Sequence, residues 1–358
     1  MSIIGISSLN KTYSLMNIIN KRKNMNNLKK IGLSALAGSL VAFSASAVEM
    51  SVSGTAEVTY SSVSGTGASQ VNSGNPFGSN TALSFTGTGD VGFGTATITR
   101  TLNDGAGSFL SAWQTIDMGS LGLISFDATG GGLEGVTAYD DVLPTAYEEV
   151  WNGVGGSGIS GAASNDTLGY SNSFGPVGVS LAYTGGGTAG SSDGNVAAEA
   201  GTNKIKDVHL TIDGSMLVDG LKLMVGNSTS SDSNPSATDT TNTVGHLLYS
   251  TGPVSVGYRL AESQPGSGET VETGLNIEGY SVAFAVNENL SISLAQQDTE
   301  FDNTGVAAVN VTEEITAINA SYTAGAASIR GSLSESSNDE GVSGASEDYM
   351  EISLVLSF

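Results

Sequence analysis

Strict alternation at both ends of the chain is the feature that most limits what it can fold into. From Tyr349 to Phe358, the residues Met350, Ile352, Leu354, Leu356 and Phe358 are apolar, whereas Tyr349, Glu351, Ser353, Val355 and Ser357 form a mostly polar row. Near the other end, Val48, Met50, Val52, Gly54, Ala56, Val58 and Tyr60 alternate with Glu49, Ser51, Ser53, Thr55, Glu57, Thr59 and Ser61. Successive strand side chains point to opposite sides, so each segment has one apolar face and one polar face. The N-terminal run is far longer than the usual strand of about five to six residues. Strands of roughly ten residues with one polar face are what a tilted membrane-crossing β-strand requires.

The segment before that first strand gives the destination. Residues 25–47 carry a short basic region (Lys29, Lys30), an apolar stretch from Ile31 to Phe43 and a small-residue site, Ala45-Ser46-Ala47. That is the pattern of a secretory signal peptide. Residues 1–24 then read as an upstream mis-start or an extended leader, and 48–358 as the folded domain. Cleavage after Ala47 leaves 35 acidic against 6 basic residues, a net charge of −29. Nucleic acid is excluded as a partner, because phosphate binding needs a basic surface. Such a chain concentrates cations and repels anions. With no cysteine, an exported chain of this length is held by hydrogen bonds and packing alone.

Sixteen alternating segments follow from the pattern: 48–61, 80–89, 91–103, 108–118, 120–128, 165–173, 176–185, 203–213, 218–229, 241–251, 253–263, 271–286, 289–300, 311–323, 326–337 and 348–358. Tight turns such as Ser173-Phe174-Gly175-Pro176 and Thr251-Gly252-Pro253 alternate with long polar stretches. Short turns on one side and long loops on the other are the asymmetry of outer-membrane barrels. Hydrocarbon cannot satisfy backbone polar groups, so a strand-only spanning chain must close on itself. Pairing the first strand with the sixteenth removes both sheet edges. The fold expected is all-β, a 16-stranded antiparallel transmembrane barrel with an inward-folded third loop.

That loop, about 129–164, is the longest connection and the most distinctive. It carries Glu134, Tyr139-Asp140-Asp141 and Tyr147-Glu148-Glu149-Val150-Trp151. The expectation is a pore constriction bearing Glu134, Asp140, Asp141, Glu148 and Glu149, anchored by Val142, Leu143, Pro144, Val150 and Trp151. A merely solvated acidic loop is the alternative. Charge rings select ions by sign. Arg100, Lys222, Arg259 and Arg330 are the strand cations available as an opposing basic wall. Arg259 lies between outward-reading Tyr258 and Leu260, which assigns it to the lumen. A charge facing lipid at mid-depth would cost about 2–4 kcal/mol.

Enzyme chemistry finds no footing. Gly87–Gly92 and Gly156–Gly161 match a dinucleotide-binding glycine spacing, but neither sits between a strand and a helix. His209 and His246 have no third partner in a zinc or triad pattern. No cofactor is expected, apart from structural calcium as an option at Asp140, Asp141, Glu148 and Glu149. The region Asp298–Asp302 lacks EF-hand spacing.

At this point the chain resembles the Gram-negative general diffusion porins. The resemblance is carried by Ala45-Ser46-Ala47, by Gly119-Ser120-Leu121-Gly122-Leu123-Ile124-Ser125-Phe126, by Asn165-Asp166-Thr167-Leu168-Gly169-Tyr170, by Phe174–Tyr183 and by the terminal Phe358. It implies a homotrimer whose third loop forms an eyelet. It also implies that Phe358, with Leu356 and Leu354, is an assembly signal read by the barrel-insertion machinery in the outer membrane, among lipid and lipopolysaccharide. The return segment lacks an arginine common in the family, and the loop lacks a Pro-Glu-Phe-Gly motif. The resulting reading is passive diffusion of small hydrophilic solutes with a cation preference. One alternative is a substrate-specific porin with a site among Tyr139, Tyr147 and Trp151. Another, of a different class, is an acidic secreted calcium-binding structural β-protein.

Overall fold

The computed structural model describes residues 49–66, 74–103, 109–132, 135–136, 142–155, 159, 166–186, 204–231, 238–266, 273–303 and 310–358. The leader and signal segments assigned to 1–47 lie outside the described residues. Sixteen strands run in chain order. They are β1 (Glu49–Gly65), β2 (Phe77–Asp90), β3 (Thr95–Asn103), β4 (Phe109–Asp117), β5 (Leu123–Thr129), β6 (Thr167–Phe174), β7 (Val177–Thr184) and β8 (Lys204–Asp213). The second half comprises β9 (Leu221–Ser231), β10 (Thr240–Thr251), β11 (Val254–Gln264), β12 (Thr273–Ala285), β13 (Leu290–Asn303), β14 (Val311–Ala324), β15 (Ala327–Ser337) and β16 (Ser346–Ser357). Each pairs antiparallel with its sequence neighbours, and β1 pairs with β16, closing the barrel. Among the described residues there is no α-helix.

The turns explain themselves. At Gly175-Pro176 and Gly252-Pro253 the glycine takes φ of 61° and 52°. Glycine at positive φ followed by a residue near the proline value suits a type II′ hairpin, whose twist matches the flanking strands. All such short turns lie at one end of the barrel, and the long connections lie at the other.

Alternation sorts the wall. On β16, Ile352, Leu354 and Leu356 are about half exposed on the outside, whereas Ser353 and Val355 are buried inside. On β14, Glu313, Ile315, Ala317 and Asn319 are buried inside, and Ile318 and Tyr322 face out. A free-standing barrel would leave its inner row open to water. Here long stretches of that row are covered, and the connection between β5 and β6 supplies the cover. The outer row is apolar from the short-turn end and becomes charged toward the long-loop end, at Lys204, Lys206, Glu262, Glu278, Asp298, Glu300, Glu314, Glu335 and Asp348.

The seam between first and last strands continues to the last residue. Phe358 N–H donates to Gly54 O at 3.0 Å, and Gly54 N–H donates back to Phe358 O at 2.9 Å. The Phe358 ring lies over Gly54 so closely that a Cβ there would fall 2.5 Å from Cζ. Only a residue without a side chain leaves that space.

Candidate functional site: the β5–β6 connection against the inner wall

The described parts of this connection are tied to the inner wall mainly through their own backbone. Asp127 on β5 accepts from Gly132 N–H at 2.7 Å. Ser180 on β7 accepts from Gly135 N–H at 3.0 Å, and Asp207 on β8 accepts from Val136 N–H at 2.9 Å. Further on, Ser293 on β13 accepts from Ala146 N–H at 2.9 Å, and Asn319 on β14 donates to Glu148 O at 3.0 Å. Asp339, in the connection after β15, accepts from Gly155 N–H at 3.2 Å. Buried backbone groups must be paired, and irregular chain has no ladder to pair with. Inward polar side chains therefore serve as that ladder.

Two apolar clusters add packing where a polar lumen would have none. Val136 and Ile159 pack with Val244, Ala261 and Ile277 from β10, β11 and β12. Val150 and Val154, with Trp151 at the edge, pack with Ile315 and Ala317 of β14, Ala295 and Tyr349. At Gly257 and Gly279 the wall is thinned beneath Leu143 and Pro144: a Cβ at Gly257 would lie 2.5 Å from Pro144 Cδ. Leu143, Pro144, Val150 and Trp151 of the expected anchoring set thus meet the wall, and wall glycines make the room.

Tyr147 reaches the seam itself. Its hydroxyl donates to Glu351 Oε1 on β16 at 2.6 Å and approaches Glu57 Oε1 on β1 at 3.3 Å. Tyr349 donates to the other oxygen of Glu351 at 2.7 Å, and Ser353 donates to Glu57. Burial, then the bond to Glu351, hold the Tyr147 hydroxyl protonated well above the ordinary range. Next to it, burial and then the charge of Glu149 push the Glu148 carboxyl up to about 7.

The basic residues do not form the row expected of them. Arg259 is wholly buried, its guanidinium 5.4 Å from the centre of the Trp151 ring and its Nη1 donating to Gln297 at 3.4 Å. Arg330 lies 5.4 Å from the centre of the Tyr147 ring. Lys222 also faces inward, but at the short-turn end of β9, paired in register with Asp213. Arg100 is on the other side of the wall. Side-chain bonds of Ser84 to Thr101 at 2.8 Å and of Thr86 to Thr99 at 3.1 Å fix those threonines inside, so Arg100 between them points out. Its assignment to a basic pore wall is therefore corrected by register. Both cations that reach the connection meet it through aromatic faces, a contact worth about 0.5–2 kcal/mol depending on solvation.

Of the acids expected here, Glu148 and Glu149 lie in the segment held against β13 and β14, while Glu134, Asp140 and Asp141 lie outside the described residues. Among the described residues no group of three or more His, Cys, Asp or Glu is arranged to hold a metal ion. Tyr147 and Trp151, suggested as a solute platform, are engaged by wall carboxylates and by Arg259, and Tyr139 lies outside the described residues. Glu351 and Ser353, from the polar row of the last segment, face inward: the β5–β6 connection supplies Tyr147 to Glu351, and Ser353 is fully buried.

Comparison with solved structures decides the architecture. A porin refined at 1.8 Å resolution superposes with a TM-score of 0.62 at 16% identity, covering 87% of this chain and all of that one. The fold is the sixteen-stranded porin barrel. An anion-selective porin from Comamonas acidovorans matches with a TM-score of 0.61 at 14% identity, covering 87% of this chain and all of that one. OmpT of Vibrio cholerae in a trimer form matches with a TM-score of 0.62 at 10% identity over the same shares. No family model matches the sequence, and no curated protein matches it. At these identities the likeness speaks to the porin fold alone.

Proposed function

We propose that this chain is a non-enzymatic outer-membrane channel for passive diffusion of small hydrophilic solutes, with the β5–β6 connection as its constriction and a preference for cations. The observation that carries the proposal is the pairing of a closed, outwardly apolar barrel with a chain segment spread across its inner row from β5 to β1. Such a segment narrows a lumen that sixteen strands would otherwise leave wide. The cation preference rests on charge accounting. Glu57, Glu148, Glu149 and Glu351 cluster where Arg259 is buried and Arg330 lies against the Tyr147 ring. The acids Glu134, Asp140 and Asp141 add to the same sign. Metal-ion help is not required for this reading, and no step depends on calcium.

The chain would be exported by its signal, inserted with Phe358 as part of the recognition element, and surrounded by lipid and lipopolysaccharide. Assembly as a homotrimer is favoured by the neighbour solved in a trimer form. Purified protein added to a planar bilayer should give stepwise conductance increases, and liposomes carrying it should swell in small neutral sugars. A detergent-independent, soluble protein with neither response would overturn the proposal.

A further inference from the structure

We infer that the short-turn end of the lumen holds a binding site for small zwitterions of amino-acid size, with Lys222 taking the carboxylate and Asp213 the ammonium. This rests on the reading of the chain as a cation-preferring channel and adds a separate station below its constriction.

The site is a cavity of about 440 Å³ against the inner faces of β6 to β9. That size falls within the usual range for small-molecule pockets, about 300–1,000 Å³. Inward Ser171 and Ser173 of β6, Ser180 of β7, Thr211 and Asp213 of β8, and Lys222 of β9 line it. Ser180 marks its upper edge, where the hydroxyl accepts from Gly135 N–H of the β5–β6 connection at 3.0 Å. Ser173, Gly178 and Thr211 stand side by side in one cross-strand row, and Asp213 and Lys222 share the row nearer the turns. A Cβ at Gly178 would meet nothing nearer than Thr211 Cβ at 3.5 Å, so the glycine leaves open volume in the middle of that wall.

Charge decides the occupant. Of the six basic residues after Ala47, Arg100, Lys204 and Lys206 face outward, Arg259 is buried beside Trp151, and Arg330 lies against Tyr147. Lys222 is the lumenal cation that stays exposed, and its ammonium offers three N–H donors. Opposite it in register, Asp213 accepts from Ser215 N–H at 2.9 Å and from Ser215 Oγ. Both bonds fall on Oδ1, which fixes the carboxylate and leaves Oδ2 without a partner among the described residues. Directly opposed residues have Cβ atoms about 4.5–5.5 Å apart, a spacing that one molecule carrying both charges can span. Hydroxyls on Ser173 and Thr211 both donate and accept, which suits a polar side group. A simple anion fits this place less well. Glu57, Glu148, Glu149 and Glu351 at the constriction repel it, whereas a zwitterion passes them with no net charge.

Glutamine is the probe, added at millimolar concentrations to full-length channels in a planar bilayer with KCl on both sides. Saturable excess current noise or partial block is expected as molecules lodge in the cavity. Lys222→Gln and Asp213→Asn should each weaken the apparent affinity about tenfold, the loss expected for one charge-assisted hydrogen bond. Lys222→Arg should retain it. Gly178→Leu fills the cavity without touching either charge and should abolish the response, in a barrel that still shows its heat-dependent gel shift. Propionate, which carries the carboxylate alone, should bind about tenfold more weakly than glutamine. Conducting channels that ignore glutamine would overturn this inference and leave the channel reading intact. So would a glutamine response undiminished by Lys222→Gln or by Gly178→Leu. Propionate acting as strongly as glutamine would overturn the zwitterion assignment. Protein with no conductance at all would overturn the channel reading and this inference with it.

Discussion

Removing the Tyr147 hydroxyl is the most informative single change, because it tests whether the β5–β6 connection is held in place by the barrel seam. Tyr147→Phe deletes the 2.6 Å bond to Glu351 and the 3.3 Å approach to Glu57, and keeps the ring beneath Arg330. A hydrogen bond to a charged acceptor contributes about 1.5–3 kcal/mol. The lower figure applies here, since Glu351 still accepts from Tyr349 at 2.7 Å. About 1.4 kcal/mol is tenfold in an equilibrium constant. Excursions of this segment away from the wall should therefore become on the order of tenfold more frequent. Single-channel recordings would register them as sublevel transitions and excess open-channel noise, with the main conductance level retained. Tyr147→Ala also forfeits the contact with Arg330 and should be noisier again. If Tyr147→Phe records were indistinguishable from wild type while Tyr147→Ala records were noisy, the ring alone would hold the segment and the hydroxyl reasoning would be refuted.

Three further outcomes are expected. Glu148, pushed up to about 7 by burial and by Glu149, is ionised above that pH and neutral below it, so cation preference should fall as pH drops through about 7. Glu148→Gln should flatten that step in reversal potential, and a wild-type profile without a step near neutrality would contradict the assignment. Ile315→Ala empties a fully buried contact with Val150 and Val154, at about 2–5 kcal/mol; proteases should then cut the 142–155 segment in a barrel that still shows its heat-dependent gel shift. Gly54→Val intrudes on the Phe358 ring and should cost about 1–3 kcal/mol, seen as a lower folded yield in detergent; wild-type yield would show that the ring simply moves aside.

The strands were legible because a two-residue period over a dozen positions leaves few alternatives. Alternation predicts the last strand at 348–358, and it forms as Ser346–Ser357; it predicts the first at 48–61, and that strand extends to Gly65. Larger misses have local causes. The segments beginning at 120 and 218 start three residues later: Gly119–Leu121 forms a turn of 3-10 helix, and Leu221 N–H closes a turn back onto Val218 O at 3.1 Å, with Gly220 at φ 83°. The inward side of Arg259 was readable from Tyr258 and Leu260. The same logic applied to Ile98, Arg100 and Leu102 puts Arg100 outside. Lys222 had the right side and the wrong height, which alternation does not encode.

The contacts of the β5–β6 connection were not legible. They join backbone amides to single side chains far along the chain, such as Gly155 to Asp339 and Val136 to Asp207. No sequence period marks such pairs. Nor does the composition of the connection show that its aromatic rings, rather than its acids, meet the wall arginines.

Charge selectivity at the constriction bears most directly on how this chain works. The measurement is the reversal potential of wild-type channels in a planar bilayer under a KCl gradient, repeated with Glu148→Gln and Glu149→Gln together. A cation-biased potential that shrinks in the double variant is expected. An anion-biased wild-type potential, or one untouched by both substitutions, would contradict the assignment of these carboxylates to the permeation path.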